Sequence, residues 1–385
     1  VSAAATKVAV VYGTRPEAIK VAPLIAALED DERFDATAVV TGQHREMLDQ
    51  VNSLFEIVPR YDLDLMRPGQ SLNSIVARAI DGVDDVMLIE RPDLVVVQGD
   101  TSTAMAAGLA AFNRGIKVVH LEAGLRTGDL DSPFPEEANR RLLSQVSRLH
   151  LAPTAHAAEN LLREGVDPDR VRVTGNTVID ALLTASRWVR PSDDPALDAL
   201  LTEGRPIILA TAHRRENQGD AMAAIGSALA DIALARPDVT ILLPLHRNPV
   251  VRDAVIPRVE HLQNVAVTAP LSYADFTKAM AAAKLVLTDS GGVQEEAPSL
   301  GKPVLVMRDN TERPEALAAG TVRLVGANRA RIVAETLRLL DDPRAYAEMA
   351  NTANPYGDGL ASRRAVAAMA ELVGTGKREA DFVPA

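Results

Sequence analysis

The sequence contains no cysteine, which removes disulfide scaffolds, thiolate zinc sites, iron–sulfur clusters and cysteine nucleophiles together. Any base, nucleophile or ligand must come from other side chains. Aromatic residues make up only 3%, with Trp188 the single tryptophan, so stacking platforms for single-stranded nucleic acid are poorly supplied. Basic residues are also in the minority. The 41 Lys and Arg stand against 52 Asp and Glu in 385 residues, a formal charge of −11, which argues against a nucleic-acid partner. No run approaches the ~20 apolar residues of a membrane span. Val1 to Lys7 lacks a basic segment leading into an apolar core, so the expectation is a cytoplasmic protein with no membrane partner. Neither a Gly-x-Gly-x-x-Gly fingerprint nor a Gly-x-x-x-x-Gly-Lys-Ser/Thr loop occurs, which takes away the usual warrant for nicotinamide or P-loop chemistry. His246 and His261 have no neighbouring ligand types at metal spacing, so neither a metal nor another cofactor is expected.

What is present is an apolar fraction of 47% with 24% charged residues, enough to fill large cores. At about 150 residues per domain, the length suggests two or three domains. Short β-branched runs recur at Val8 to Tyr12, Thr37 to Thr41, Leu94 to Gln98 and Ile116 to Leu121. They restart at Pro206 to Thr211, Val239 to Leu243, Val265 to Thr268, Leu285 to Thr288 and Pro303 to Met307. Several are apolar at consecutive positions, as in Leu94-Val95-Val96-Val97, the pattern of a parallel sheet covered on both faces. The fold class is therefore α/β, with two Rossmann-like, doubly wound parallel-sheet domains. The boundary falls near 180, ahead of the polar, Pro-punctuated segment Arg190 to Pro195. The Ala-rich stretches Ala104 to Ala111 and Ala279 to Ala283 read as helix-to-sheet contacts, and the polar tail from Gly374 is expected to fray.

The first strand runs into Gly13-Thr14-Arg15-Pro16-Glu17, with Thr14 suited to an N-cap and Pro16 to the first helical turn. This turn is either a solvated strand-to-helix connection or an anion site with open N–H groups beside Arg15 and Lys20. Asp100 and Glu122 lie just past strand ends, where both would point into the crevice at the carboxyl edge of the sheet. Glu136 follows Pro135 at a helix start. Each carboxylate alone is a cap or surface charge; together they offer the acids and bases that proton transfer on two faces of a carbon requires. In the second half, His213-Arg214-Arg215 follows a strand and suits a phosphate. Ser290-Gly291-Gly292 follows another, where amides without Cβ obstruction can approach phosphate oxygens. Glu296 is placed to accept from a ribose diol, and Arg313 supplies a further cation.

Taken together, Gly13-Thr14-Arg15-Pro16-Glu17, Gly42-Gln43-His44-Arg45, Gly99-Asp100-Thr101, Glu122-Ala123-Gly124-Leu125-Arg126-Thr127, Pro135-Glu136-Glu137-Ala138-Asn139-Arg140, Thr174-Gly175-Asn176-Thr177, His213-Arg214-Arg215-Glu216-Asn217 and Asp289-Ser290-Gly291-Gly292 resemble the non-hydrolysing UDP-N-acetylglucosamine 2-epimerases. The motifs keep the family's order from about residue 7 to 365. The resemblance implies a glycosyltransferase B-type arrangement with the active site in the interdomain cleft. It gives an N-terminal domain of 1–180, completed by a helix at about 360–375, and a C-terminal, UDP-binding domain of 181–359.

It further implies interconversion of UDP-N-acetylglucosamine and UDP-N-acetylmannosamine for envelope polysaccharide synthesis. The implied route is anti elimination of UDP to a 2-acetamidoglucal, then syn readdition. Asp100, Glu122, Glu136 and His213 match the family's catalytic positions. Arg15, Lys20, Arg313 and the Ser290, Gly291 and Gly292 amides would hold the diphosphate, and Phe276 would pack near the base. Gln43, Gln70, Arg214 and His246 resemble a second, allosteric substrate pocket. Glu136 is shared with that pocket, whereas Gly69 stands where some relatives carry Arg. Leu271 departs where Gln is common near the uracil. A homodimer is implied as well. The rivals are a UDP-sugar-dependent glycosyltransferase of the same fold, a hydrolysing epimerase, and a non-catalytic nucleotide-sugar binder.

Overall fold

The computed structural model describes residues 4–42, 45–67, 69–311 and 313–384. The chain divides into two compact units, Val1–Ala181 with Tyr356–Val383, and Leu182–Pro355. The first contains strands β1 (Thr6–Tyr12), β2 (Phe34–Val40), β3 (Tyr61–Asp62), β4 (Leu94–Gln98), β5 (Lys117–Leu121), β6 (Leu149–Ala152) and β7 (Val171–Val173). They form one parallel sheet in the order β3-β2-β1-β4-β5-β6-β7. The second contains β8 (Ile207–Thr211), β9 (Thr240–Pro244), β10 (Val265–Thr268), β11 (Leu285–Thr288), β12 (Val304–Val306) and β13 (Val322–Leu324), again all parallel, ordered β10-β9-β8-β11-β12-β13.

All nine apolar runs named above form strands. The four strands not foreseen are two to four residues long, too short to show a periodicity.

In each sheet the strand order reverses once, between β1 and β4 and between β8 and β11. The loops leaving the carboxyl ends of those strands diverge there and open a crevice. Residues 13–15 and 99–101 leave the first reversal point, and residues 212–214 and 289–291 leave the second. The central strands Val8–Val11 and Leu94–Val97 are buried along their whole length, as helices on both faces require. The Ala-rich helix Ser102–Asn113 shares a core with Val95, Val97 and Val118 of the sheet and packs on the helix that carries Leu143. Ala104, Ala106, Ala107, Ala110 and Ala111 are buried, and a Cβ on Gly108 would stand 2.6 Å from Leu143 Cδ2.

The returning helix Ala361–Val373 packs on the first-unit helix Arg15–Glu29. Its residue before the first turn, Leu360, supplies no side-chain cap. Asp180 does so instead, accepting from the Ala361 and Ser362 N–H groups at 3.1 and 2.7 Å. The expected fraying of the tail is corrected. Phe382 is buried, its N–H donates to Val173 C=O at 2.7 Å, and the Arg364 guanidinium lies 5.4 Å from its ring centroid. Because β7 is an edge strand, a carbonyl there is available to the tail, and one aromatic anchor outweighs the polar composition.

Candidate active site

The first reversal point begins with a capping box. Thr14 caps the helix Arg15–Glu29, and Glu17 folds back so that its Oε2 accepts from the Gly13 and Thr14 N–H groups at 2.9 and 2.7 Å. Thr101 Oγ1 donates to the other Glu17 oxygen at 2.6 Å, tying this turn to the one after β4. Burial pushes the Glu17 carboxyl up from its ordinary value, against these hydrogen bonds. Glu17 thus takes the N–H groups of Gly13 and Thr14, just ahead of the first helical turn. Arg15 begins the helix, half-buried. Lys20 has a carboxylate partner in this structure. Its ammonium lies 2.5 and 2.7 Å from the two oxygens of Glu122, not beside open amides.

Glu122 is the centre of the first unit's polar cluster. It follows β5 with φ of +62°, a left-handed conformation that a non-glycine residue adopts only at a cost. Its side chain is only 8% exposed. Besides Lys20 it receives hydrogen bonds from Gln98 Nε2 at 2.5 Å and Asn176 Nδ2 at 3.0 Å. Three other chain segments therefore fix one carboxylate. A buried charge of this kind persists only when it is paired and its lone pairs are filled.

Asp100 belongs to the same sheet edge, because Gln98 is in register with Leu121 across β4 and β5. Arg140 grips its Oδ2 through Nε and Nη2, at 2.8 and 2.6 Å. Asn139 Nδ2 donates to the Asp100 carbonyl at 2.9 Å. Both come from the helix Glu136–Val146. Glu136, at its first position, is half-buried, and its side chain makes no hydrogen bond or ion pair among the described residues. Glu137 is fully buried and accepts from the Thr127 and Gly128 amides at 3.0 and 3.3 Å and from Arg140 at 3.2 Å. Burial opposes its charge, yet the amides and Arg140 hold its carboxyl below the ordinary range. Glu137 thus builds the loop and braces Arg140, while Asp100 and Glu136 keep oxygens for other partners.

At the second reversal point the organising group is Asp289, after β11 and fully buried. It accepts from the His213 N–H at 2.9 and 3.1 Å, the Arg214 N–H at 2.9 Å and Asn217 Nδ2 at 3.1 Å. His213 Nδ1 stands 3.3 Å from Asp289 Oδ1, which leaves Nε2 for a ligand. Burial draws the His213 pKa below its ordinary value despite Asp289, and Arg214 and His246 add to the fall. His246 stacks on His213, with ring centroids 6.1 Å apart and planes inclined by 22°.

The turn after β11 continues into the helix Gly291–Glu296. Gly291 lets the Arg313 guanidinium approach closely: a Cβ there would lie 2.6 Å from Arg313 Nη1 and 2.8 Å from Cζ. Glu295 holds that guanidinium through Nε at 2.6 Å. Gln294 ties Ser290 to Thr311, donating to the Ser290 carbonyl at 3.1 Å and accepting from Thr311 Oγ1 at 2.7 Å. Glu296 is buried, with Oε2 3.8 Å from a Cβ on Gly292. Phe276 lies half-buried on the helix Tyr273–Ala282. Of the anticipated allosteric residues, Gln70 is held by Arg78 at 3.2 Å, and Gln43 lies outside the described residues.

The sequence reading missed Gln98, Asn176, Arg140 and Asp289 as site residues. Their signal was position alone: each sits at a strand end or in a motif whose other members bear the obvious chemistry.

Two doubly wound α/β units, one bearing a braced carboxylate centre and the other a His–Asp pair beside a glycine-seated guanidinium, define a nucleotide-fold enzyme. The family described as UDP-N-acetylglucosamine 2-epimerase matches residues 26–370. The UDP-N-acetylglucosamine 2-epimerase of Salmonella typhimurium is 52% identical over 370 residues, covering 94% of this chain and 98% of that protein. Among solved structures, the UDP-GlcNAc 2-epimerase from Neisseria meningitidis bound to UDP-GlcNAc superimposes with a TM-score of 0.84 at 47% identity, covering 95% of this chain and all of that one. S. aureus MnaA, solved with UDP, gives a TM-score of 0.86 at 43% identity, covering 98% and 100%. The chain belongs to the UDP-N-acetylglucosamine 2-epimerase family and is an isomerase. Among the described residues, no helix is long and apolar enough to cross a membrane.

Proposed function

We propose that the chain reversibly inverts C2 of UDP-N-acetylglucosamine, without net hydrolysis, by anti elimination of UDP to 2-acetamidoglucal and syn readdition. The C2 hydrogen sits beside an acetamido group rather than a carbonyl. Its removal becomes feasible only as the diphosphate departs from C1, so stabilising the leaving group is a large part of the barrier. Arg15, His213, Arg313 and the Ser290, Gly291 and Gly292 amides take that part. Glu296 accepts from the ribose and Phe276 packs near the base. The same contacts retain UDP for readdition, which replaces a bimolecular encounter with a positioned one.

The observation that carries this reading is the pair of braced carboxylates, Asp100 and Glu122, at the ends of adjacent strands. With Glu136 they take and return the C2 proton on its two faces. Lys20, Gln98 and Asn176 hold Glu122, and Arg140 holds Asp100; these are positioning residues. Elimination and readdition leave the sugar's redox state unchanged, so the reaction asks nothing of a nicotinamide. A glycosyltransferase would not obviously require such a carboxylate set, since one base suffices to activate an acceptor hydroxyl, and a silent binder would require none.

The reading extends to a second substrate molecule acting as activator at Gln43, Gln70, Arg214 and His246, in which the stack on His213 offers a route of coupling. It also extends to a cytoplasmic homodimer supplying envelope polysaccharide synthesis.

The test is incubation with UDP-N-acetylglucosamine alone in deuterated water, followed by NMR. The manno product should appear with deuterium at C2 and little free UDP. Folded protein showing neither exchange nor product would refute the proposal, and stoichiometric UDP release would favour a hydrolysing enzyme. Asp100→Asn should retain UDP binding while losing about 10²–10⁴-fold in turnover.

A further inference from the structure

The fully buried imidazole of His120 is not accounted for by the proton-transfer groups. It lies on β5, two residues before Glu122, and its Nε2 is 2.7 Å from the Gly99 carbonyl oxygen. The next residue on β5, Leu121, accepts the Gly99 N–H at 2.9 Å. Both polar groups of Gly99 are therefore held by consecutive residues of β5. The Gly99 carbonyl and the Asp100 N–H share one planar peptide, so holding the former fixes the plane from which the Asp100 side chain departs. Gly99 itself is left-handed, with φ of +69°, and a Cβ there would be 3.6 Å from Glu122 Oε2. The clamped glycine thus adjoins Asp100 in the chain and Glu122 in space.

The clamp also carries a cost. Burial drives the His120 pKa down to about 4, so the ring is neutral at working pH and must carry its hydrogen on Nε2 to donate to Gly99. Its Nδ1 is then a buried acceptor, and it has no hydrogen-bond partner among the described residues. His150, in register with His120 on β6, is equally buried, with its pKa drawn down to about 3 and its Nδ1 likewise unpartnered. An aliphatic side chain would avoid that orphaned nitrogen. What it could not supply is the donor to Gly99.

We infer that His120 is a positioning residue of the epimerase reaction, its Nε2–H clamping the Gly99–Asp100 peptide so that the Asp100 carboxylate is held in fixed relation to that of Glu122. The inference rests on the function proposed above for the two carboxylates. A misplacement of about 1 Å at such a centre suffices for a loss of roughly 10²-fold.

The experiment compares His120→Leu, His120→Gln and His150→Leu in the full chain, by steady-state kinetics on UDP-N-acetylglucosamine, C2 deuterium exchange and UDP calorimetry. His120→Leu is expected to lower kcat and C2 exchange about 100-fold, with KM and the UDP Kd within about threefold of wild type. His120→Gln, whose amide can donate to the same carbonyl, is expected to recover most of that loss. His150→Leu, which removes the neighbouring ring but no bond to the turn, is expected to retain wild-type kcat. The inference is overturned if His120→Leu keeps kcat, if UDP affinity falls in step with kcat, or if His150→Leu loses as much as His120→Leu. Should His120→Leu not fold, an inactive but folded His120→Gln overturns it and an active one supports it. Wild-type protein without C2 exchange would instead remove the functional reading, so the two failures are distinguishable.

Discussion

Replacing Gly291 with alanine isolates the guanidinium at the second reversal point. The backbone of Gly291 is right-handed helix, so alanine meets no conformational penalty and should add about 0.4–1 kcal/mol through the unfolded chain. Its methyl would nevertheless stand 2.6, 2.8 and 3.0 Å from Arg313 Nη1, Cζ and Nη2. Ordinary contact requires the guanidinium to retreat by roughly 0.5–1 Å, taking it out of hydrogen-bond geometry with a fixed oxygen. Glu295 holds Nε at 2.6 Å and restrains any swing to a compensating position. Losing one charge-assisted hydrogen bond to the diphosphate costs about 1.5–3 kcal/mol, a 10- to 150-fold loss of affinity. Thermal unfolding and UDP calorimetry should therefore diverge, with the melting temperature held or raised and Kd increased. Arg313→Lys would weaken binding by a similar amount, and the double variant should fall well short of the sum, because both act on one bond. Unchanged UDP affinity in Gly291→Ala, or full additivity in the cycle, would refute the assignment of Arg313 to the diphosphate.

Lys20→Met should lower both stability and turnover, because it strands the Glu122 charge; for a buried pair the stability term is about 3–5 kcal/mol. Adding Glu122→Gln should restore the melting temperature without restoring C2 exchange, and a double variant as unstable as Lys20→Met would contradict the pairing. Glu137 has its folded pKa below the ordinary 4.5, so its contribution to stability is complete above that value and declines as pH falls through the lower folded one. The melting-temperature gap between wild type and Glu137→Gln should consequently narrow below pH 4.5; a gap independent of pH would show that the amides and Arg140 do not favour the charged form. Asp180→Ala removes the cap of the returning helix and should cost about 1–2 kcal/mol. Limited proteolysis should then cut near Tyr356 to Ala361 sooner than in wild type, and an unaltered digest would argue against that cap as the anchor.

The legible parts of the sequence were those with a strong, local pattern. Runs such as Leu94 to Val97 announced buried parallel strands because helices cover both faces, and strand-end polar residues announced the crevice. Two-residue β3 and three-residue β7 had no pattern to show; their pairing depends on long-range register. Composition misjudged the tail, because one buried aromatic, Phe382, and an edge carbonyl decide its fate. At the site, residue types could nominate Lys20 as an anion ligand but not reveal that Glu122, 102 residues away, takes its charge. Thr14 and Pro16 were readable as a helix start, whereas the capping box with Glu17 followed only from where that carboxylate folds. Asp289 went unassigned because its work is done through backbone amides of another loop, which leave no mark in sequence.

Three destabilising features coincide at the ends of β4 and β5: left-handed backbone at Glu122, a buried ion pair with Lys20, and an orphaned nitrogen on His120. Left-handed strain at a non-glycine residue costs about 1–3 kcal/mol. A buried pair removed as a unit is often neutral or stabilising to lose, and an unpaired buried nitrogen costs about 1–3 kcal/mol. None of these is needed to close a seven-stranded sheet, which the buried aliphatic strands achieve unaided. Their concentration within a few residues of the topological reversal point is an argument for function that does not depend on likeness to any relative. It also qualifies the acidic composition. A chain with formal charge −11 repels polyanions as a whole, while Lys20 and Arg140 are spent on individual carboxylates, and Arg313 is seated against a glycine at the second sheet. Local pairing, not net charge, decides which anions the protein can accept.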